Sequence, residues 1–128
     1  MDVPEYCSFI LPSVLRREQL TIAVSTEGAS PSLAKRIRHD LEEIFPPAYG
    51  TYLRLAALAR TYLRQHGVSY DLRDDFFNDF HTSDVLASLV EEDIPRATAV
   101  TASLLQRYGI DVPAHTLAVD LEKEHAYA

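Results

Sequence analysis

The chain has 128 residues, 47% of them apolar and 24% charged, with a formal net charge of −7. A chain of that length holds one or two small units. No apolar run reaches a membrane span, no signal-peptide pattern opens the chain, and the lone Cys7 excludes an internal disulfide and a thiolate metal cluster. The expectation is a cytoplasmic protein with no membrane partner. Residues 1–66 carry 8 Lys/Arg against 7 Asp/Glu, and residues 67–128 carry 4 against 12. The acidic half would repel a phosphodiester backbone, so no nucleic-acid partner is expected. Arg16, Arg17, Lys35, Arg36 and Arg38 cluster in the first half, where a small polyanion is easier to accommodate.

In chain order, residues 8–15 and 20–26 read as two strands separated by Arg16-Arg17-Glu18-Gln19. Leu20, Ile22 and Val24 alternate with Thr21, Ala23 and Ser25, the two-residue period of a half-buried strand. Pro12 cannot donate to a ladder, which places the first strand at an edge or gives it a bulge. Two strands alone are marginal in water and need further strands. Ser30-Pro31 marks a helix start, since Ser caps and Pro suits the first helical position. Leu33, Ile37, Leu41 and Ile44 then recur at helical spacing until Pro46-Pro47. A second helix over roughly Ala48–Gln65 places Tyr52, Leu55, Ala56, Ala59 and Leu63 on one face and stops at His66-Gly67. Shorter helices follow, with apolar faces Leu72/Phe76/Phe77/Phe80, Val85/Leu86/Leu89/Val90, and Ile94/Ala97/Val100/Thr101/Leu104/Leu105/Tyr108, the last ending at Gly109. Residues 110–128 hold scattered apolar positions and are expected to fray after Leu121. The reading is α+β: a hairpin unit with its first helix over 1–45, then a helical bundle over 46–128.

The helix start at Ser30-Pro31 is an anion site in principle, because first-turn amides and the helix dipole favour negative charge. Lys35, Arg36 and Arg38 add to that field. The five histidines, His39, His66, His81, His115 and His125, share no ligand-like spacing, so no metal site is expected. His39 reads as solvated and Cys7 as a small core residue. The acids Asp71, Asp74, Asp75 and Asp79 lack the spacing and glycine of a calcium loop and read as a solvated helix face, with the intervening phenylalanines in the core.

The segment Ser25-Thr26-Glu27-Gly28-Ala29-Ser30-Pro31, with Phe9 to Arg17 upstream, resembles the precorrin-2 dehydrogenase/sirohydrochlorin ferrochelatase enzymes, the siroheme synthases. Family members have a Ser-x-Gly-Gly-x-Ser-Pro loop facing a substrate cleft. The resemblance extends over residues 2–66 in motif and element order, weakens over 67–93 and carries nothing specific beyond residue 94. It implies a role in tetrapyrrole biosynthesis: NAD-dependent oxidation of precorrin-2 to sirohydrochlorin, with iron insertion in some members. It implies a tetrapyrrole-binding set of Ser25, Thr26, Gly28, Ala29, Ser30, Lys35, Arg36 and Arg38. It makes Asp2 the candidate catalytic carboxylate, two dozen residues ahead of Thr26, able to accept a proton during oxidation or chelation. It also implies a homodimer in which hairpins of two subunits join one sheet.

Two positions depart from the family. Glu27 replaces the first loop glycine, removing backbone freedom and placing a negative charge where an anionic substrate would approach. Glu18 stands where the family commonly has a glycine for a turn with positive φ. Family members carry a nucleotide-binding half before this point, and the four isolated glycines, Gly28, Gly50, Gly67 and Gly109, form no dinucleotide fingerprint. The chain is therefore expected to be a truncated or split enzyme working with a separate NAD-binding chain. The alternative is a non-catalytic homodimeric module that binds a tetrapyrrole or a protein.

Overall fold

A computed structural model describes residues 11–126. It has a two-stranded antiparallel hairpin followed by six helices, an α+β arrangement, and divides into two units at the junction of Pro47 and Ala48.

In the hairpin unit, β1 (Ser13–Arg17) pairs with β2 (Leu20–Val24) in the register Ser13↔Val24, Leu15↔Ile22, Arg17↔Leu20. The first strand thus lies later than expected. Pro12 has no N–H to offer, and described pairing begins one residue after it. Arg16 and Arg17 belong to the strand, and the connection shrinks to Glu18-Gln19. The part of the expected strand at residues 8–10 lies outside the described residues. Positive φ at Glu18 alone (59°) gives the sign pattern of a type II′ turn, whose first central position favours glycine.

Helix α1 (Pro31–Ile44) packs on both strands. The Ser30 hydroxyl accepts from the N–H of Leu33 at 3.2 Å and Pro31 occupies the first turn, the start foreseen from sequence. At its end the N–H of Phe45 bonds the carbonyl of Leu41 (2.8 Å) just ahead of the proline pair. Among the described residues of this unit the buried side chains are Leu15 (2% exposed) and Ala34. The expected apolar stripe turns largely outward: Leu33, Ile37 and Ile44 are 47%, 36% and 60% exposed, with Leu41 half-buried. Two five-residue strands cannot cover a stripe that wide.

The helical unit contains α2 (Ala48–Gln65), α3 (Tyr70–His81), α4 (Val85–Val90), α5 (Ile94–Gln106) and α6 (Ala114–Ala126). One core runs through them, with Tyr52, Leu55, Ala59 and Leu63 of α2 against Phe76 and Phe80 of α3, Val85 and Leu89 of α4, Leu104 and Leu105 of α5, and Leu117 and Leu121 of α6. Phe80 stacks between Tyr52 and Phe76, at centroid distances of 5.0 and 5.8 Å. The buried hydroxyls of Ser88, Thr98 and Thr101 each donate to the carbonyl four residues back, so their burial leaves no unmade bond.

Gly67 (φ 68°) and Gly109 (φ 83°) end α2 and α5 in the same way. Val68 N–H reaches Leu63 and Ile110 N–H reaches Leu105, the six-to-one bond of the Schellman motif. Glu92 (φ 60°) closes α4 with the equivalent bond, from Asp93 N–H to the Ser88 carbonyl at 2.8 Å. The expected fraying after Leu121 is not found, since α6 continues to Ala126. Ile110, Val112, Leu117 and Leu121 are all buried and anchor it. Among the described residues no helix is long and apolar enough to cross a membrane.

Candidate functional site

The loop between β2 and α1 is built by its own hydroxyls. Ser25 Oγ accepts from the N–H of Glu27 (3.1 Å), and Thr26 Oγ1 accepts from the N–H of Ser30 (3.0 Å). The N–H of Ala29 closes a turn onto the Thr26 carbonyl at 3.0 Å. Its central residues, Glu27 and Gly28, have φ of 56° and 85°, the positive pair of a type I′ turn. Glutamate thus occupies a left-handed conformation that costs a residue with a Cβ roughly 1–2 kcal/mol. The loop keeps a glycine-type shape despite Glu27, and the carboxylate is exposed.

Ser25, Thr26 and Gly28 line a recess of 130 Å³ with Leu11, Val24, Pro31 and Ala34. Ser30 caps the helix beside it and Ala29 closes the turn. The three expected cations do not line this recess. Arg38 donates from Nε to Ser13 Oγ (2.9 Å) and from Nη1 to the carboxylate of Glu42, so it joins α1 to the start of β1. Lys35 and Arg36 are exposed on α1. Arg17 holds the other end of the helix, with Nε on the carbonyl of Phe45 (2.7 Å) and Nη2 on that of Glu42 (3.2 Å). Helix α1 has no basic residue in its own last turn, and the strand supplies the cation that its negative end favours. Arg16 bonds Thr21 across the hairpin. His39 is exposed and lies 3.6 Å from Glu42. The expected catalytic residue Asp2, like Cys7, lies outside the described residues. Among the described residues no three His, Cys, Asp or Glu side chains converge on a common point.

In the helical unit, α2 and α3 flank a groove of 450 Å³ lined by Arg60, Arg64, Tyr70, Arg73, Asp74, Phe77, Asn78 and His81. Sequence reasoning did not single it out. The i, i+4 spacing of Arg60 and Arg64 is visible in the sequence, but Arg73 joins them only through the fold. Tyr52 OH meets His81 Nδ1 at one end of α3, and burial, with Tyr49 nearby, pushes the Tyr52 phenol up to about 12. Burial and then a 2.8 Å bond to Asp120 do the same for Tyr62, also to about 12.

Residues 17–44, from the last residue of β1 to the last of α1, match the family model described as sirohaem biosynthesis protein, central. The chain resembles the siroheme synthases over part of their length. Siroheme synthase 2 of Cronobacter sakazakii is 36% identical over 106 residues, 82% of this chain and 23% of that protein. Siroheme synthase of Nitrosomonas eutropha is 46% identical over 66 residues, 52% of this chain and 14% of that protein. A solved structure of SirC, precorrin-2 dehydrogenase, superposes with a TM-score of 0.59 at 27% identity, covering 76% of this chain and 45% of that one. The chain thus spans less than a quarter of these siroheme synthases' length. The resemblance to the siroheme synthases includes the Ser30-Pro31 helix start, the hairpin end and much of the helical unit.

Proposed function

We propose that this chain acts in siroheme biosynthesis as the dimerisation and substrate-cleft portion of a precorrin-2 dehydrogenase-type enzyme. The observation that carries the reading is the extent of the similarity, which covers 82% of the chain, together with the family-model match over residues 17–44. The exposed stripe Leu33, Ile37 and Ile44 and the two-stranded sheet support a homodimer, because a lone hairpin gains stability from added strands. A recess of 130 Å³ is below the size of a tetrapyrrole site. The proposed cleft is therefore completed by a second copy or by a separate NAD-binding chain. Within it Ser25, Thr26, Gly28, Ala29 and Ser30 shape the floor, Lys35 and Arg36 supply positive charge towards the substrate's carboxylates, and Arg38, paired with Glu42 and bonded to Ser13, holds α1 against β1. Asp2 is the proposed proton acceptor, for oxidation or for chelation.

NAD, which the resemblance brings with it, does not fit the described residues. A two-stranded antiparallel sheet has no crevice between parallel strands, and no glycine-rich turn precedes a helix here. No step is derived through it.

The exposed carboxylate of Glu27 favours a second reading, a non-catalytic homodimeric module. Titration of the full chain with sirohydrochlorin at low salt separates a tetrapyrrole cleft from a module that binds a protein. Binding that salt weakens, that Arg36→Ala reduces and that Glu27→Gly strengthens supports the cleft. Absence of binding in both the native chain and Glu27→Gly means that the cleft is not functional in this chain alone and makes the module the better reading.

A further inference from the structure

We infer that the groove between α2 and α3 is a binding site for a small molecule carrying two or more anionic groups, carboxylates or phosphates. The first argument is charge placement. Residues 48–128 hold 7 Lys/Arg and 12 Asp/Glu, yet three of those cations and one of those acids face this one groove. Such a concentration runs against the sign of the surrounding unit.

The second argument is that these guanidiniums form no hydrogen bond or ion pair with the described residues. Where the helical unit uses arginine structurally, the group is bonded: Arg54 Nη1 donates to the carbonyl of Leu121 at 2.9 Å, and Arg96 Nη2 to Asp84 at 3.0 Å. Among the described residues, Arg60, Arg64 and Arg73 have no such acceptor. Arg60 lies over the ring of Phe77, 4.8 Å from its centroid, and Arg73 over Tyr70 at 5.8 Å. Stacking occupies the face of a guanidinium and leaves its edge donors available. Arg73 Nε is buried with no hydrogen-bond partner. A buried donor left unmade is costly, so the fold gains nothing from the position of this guanidinium.

Size and geometry narrow the ligand. The groove's 450 Å³ falls within the range of small-molecule sites. Arg60 and Arg64 are one turn apart on α2, a rise of roughly 6 Å, while Arg73 approaches from α3. Guanidiniums in that spread suit anionic groups several ångströms apart, each taken by forked N–H donors. Asp74 offsets one of the three cations, so the groove keeps a net +2, which two carboxylates or a phosphate would neutralise and one carboxylate would not. Asn78 and His81 add polar contacts at the α3 side.

Calorimetry on the full chain at low ionic strength tests the site with inorganic pyrophosphate and with tricarballylate, using acetate as the single-charge control. Both polyanions, or one of them, are expected to bind, and acetate is not. The preferred polyanion assigns the natural ligand to phosphates or to carboxylates. Arg64 is exposed, so Arg64→Gln keeps the fold and is expected to weaken binding at least tenfold. Arg73→Lys keeps the charge, removes the forked guanidinium and is expected to weaken it as well. Arg107→Gln, outside the groove, is the control and leaves affinity unchanged. Absence of heat from both polyanions overturns the proposal, as does equal affinity in Arg64→Gln or an equal loss in Arg107→Gln. None of these variants touches residues 25–38, so the outcome is independent of the sirohydrochlorin titration.

Discussion

Sixteen apolar side chains contributed by five helices and the α5–α6 connection are buried together in the helical unit, whereas the hairpin unit buries Leu15 and Ala34 and leaves Leu33, Ile37 and Ile44 in water. The first arrangement is the way a small unit stabilises itself, by removing apolar area on several sides of each element. The second holds its shape through directed polar bonds, from Arg17 and Arg38 to carbonyls and a hydroxyl, and from the amides of Glu27, Ser30 and Leu33 to the hydroxyls of Ser25, Thr26 and Ser30. The contrast teaches that the region matched by the family model is held by directed bonds and leaves an apolar stripe uncovered, whereas the helical region buries a core of its own.

The largest effect should come from the helical core. Phe76 is fully buried and touches Phe77, Phe80 and Tyr108, so Phe76→Ala is expected to cost about 3–5 kcal/mol in urea unfolding. A loss under 1 kcal/mol would remove the distinction between the units. Next comes the exposed stripe. Ile37→Asp should leave the helical signal intact and halve the mass in light scattering from twice 14.4 kDa to 14.4 kDa; an unchanged mass places the interface elsewhere.

Alkaline titration sharpens the comparison from the helical side. Tyr52 and Tyr62 are raised from 10.0 to about 12 in the folded chain. Folded protein therefore keeps protons that unfolded protein has lost. Their contribution to stability is fully present below pH 10 and falls as the pH rises from 10 to 12. Tyr62→Phe should flatten that decline in a series of melting temperatures. The smallest effect lies in the hairpin unit: Glu27→Gly relieves left-handed backbone and should stabilise by about 0.5–1 kcal/mol. Destabilisation would show that the Glu27 side chain makes a compensating contact.

What was legible followed chemistry that only certain residues can supply. Ser30-Pro31 could be read as a helix start, and Gly67 and Gly109 as stops, because few other residues do those jobs. The left-handed turn at Glu92 was illegible for the same reason, since glutamate does not advertise a positive φ. Helix α6 escaped notice because its buried positions, Leu117 and Leu121, span a single turn and depend on Ile110 and Val112 in the connection before it. The stripe on α1 was legible as a pattern, but periodicity cannot say whether the partner is within the chain. In the candidate loop, the roles of Ser25 and Thr26 as internal acceptors were hidden, because a hydroxyl beside a cleft and one folded onto its own backbone look alike in sequence.

Arg17 and Arg38 also bear on how the hairpin unit opens. One ties the end of β1 to the last carbonyls around α1, and the other ties the beginning of β1 to the middle of that helix. Neither the strand pair nor the helix can then detach while the other stays in place. Their amides should exchange with solvent deuterium through one shared opening, as a single foldon, rather than fraying separately from the turn or from the helix end. A ligand or second subunit that restrains α1 would, by the same ties, slow exchange at Leu15 and Ile22, although it touches neither.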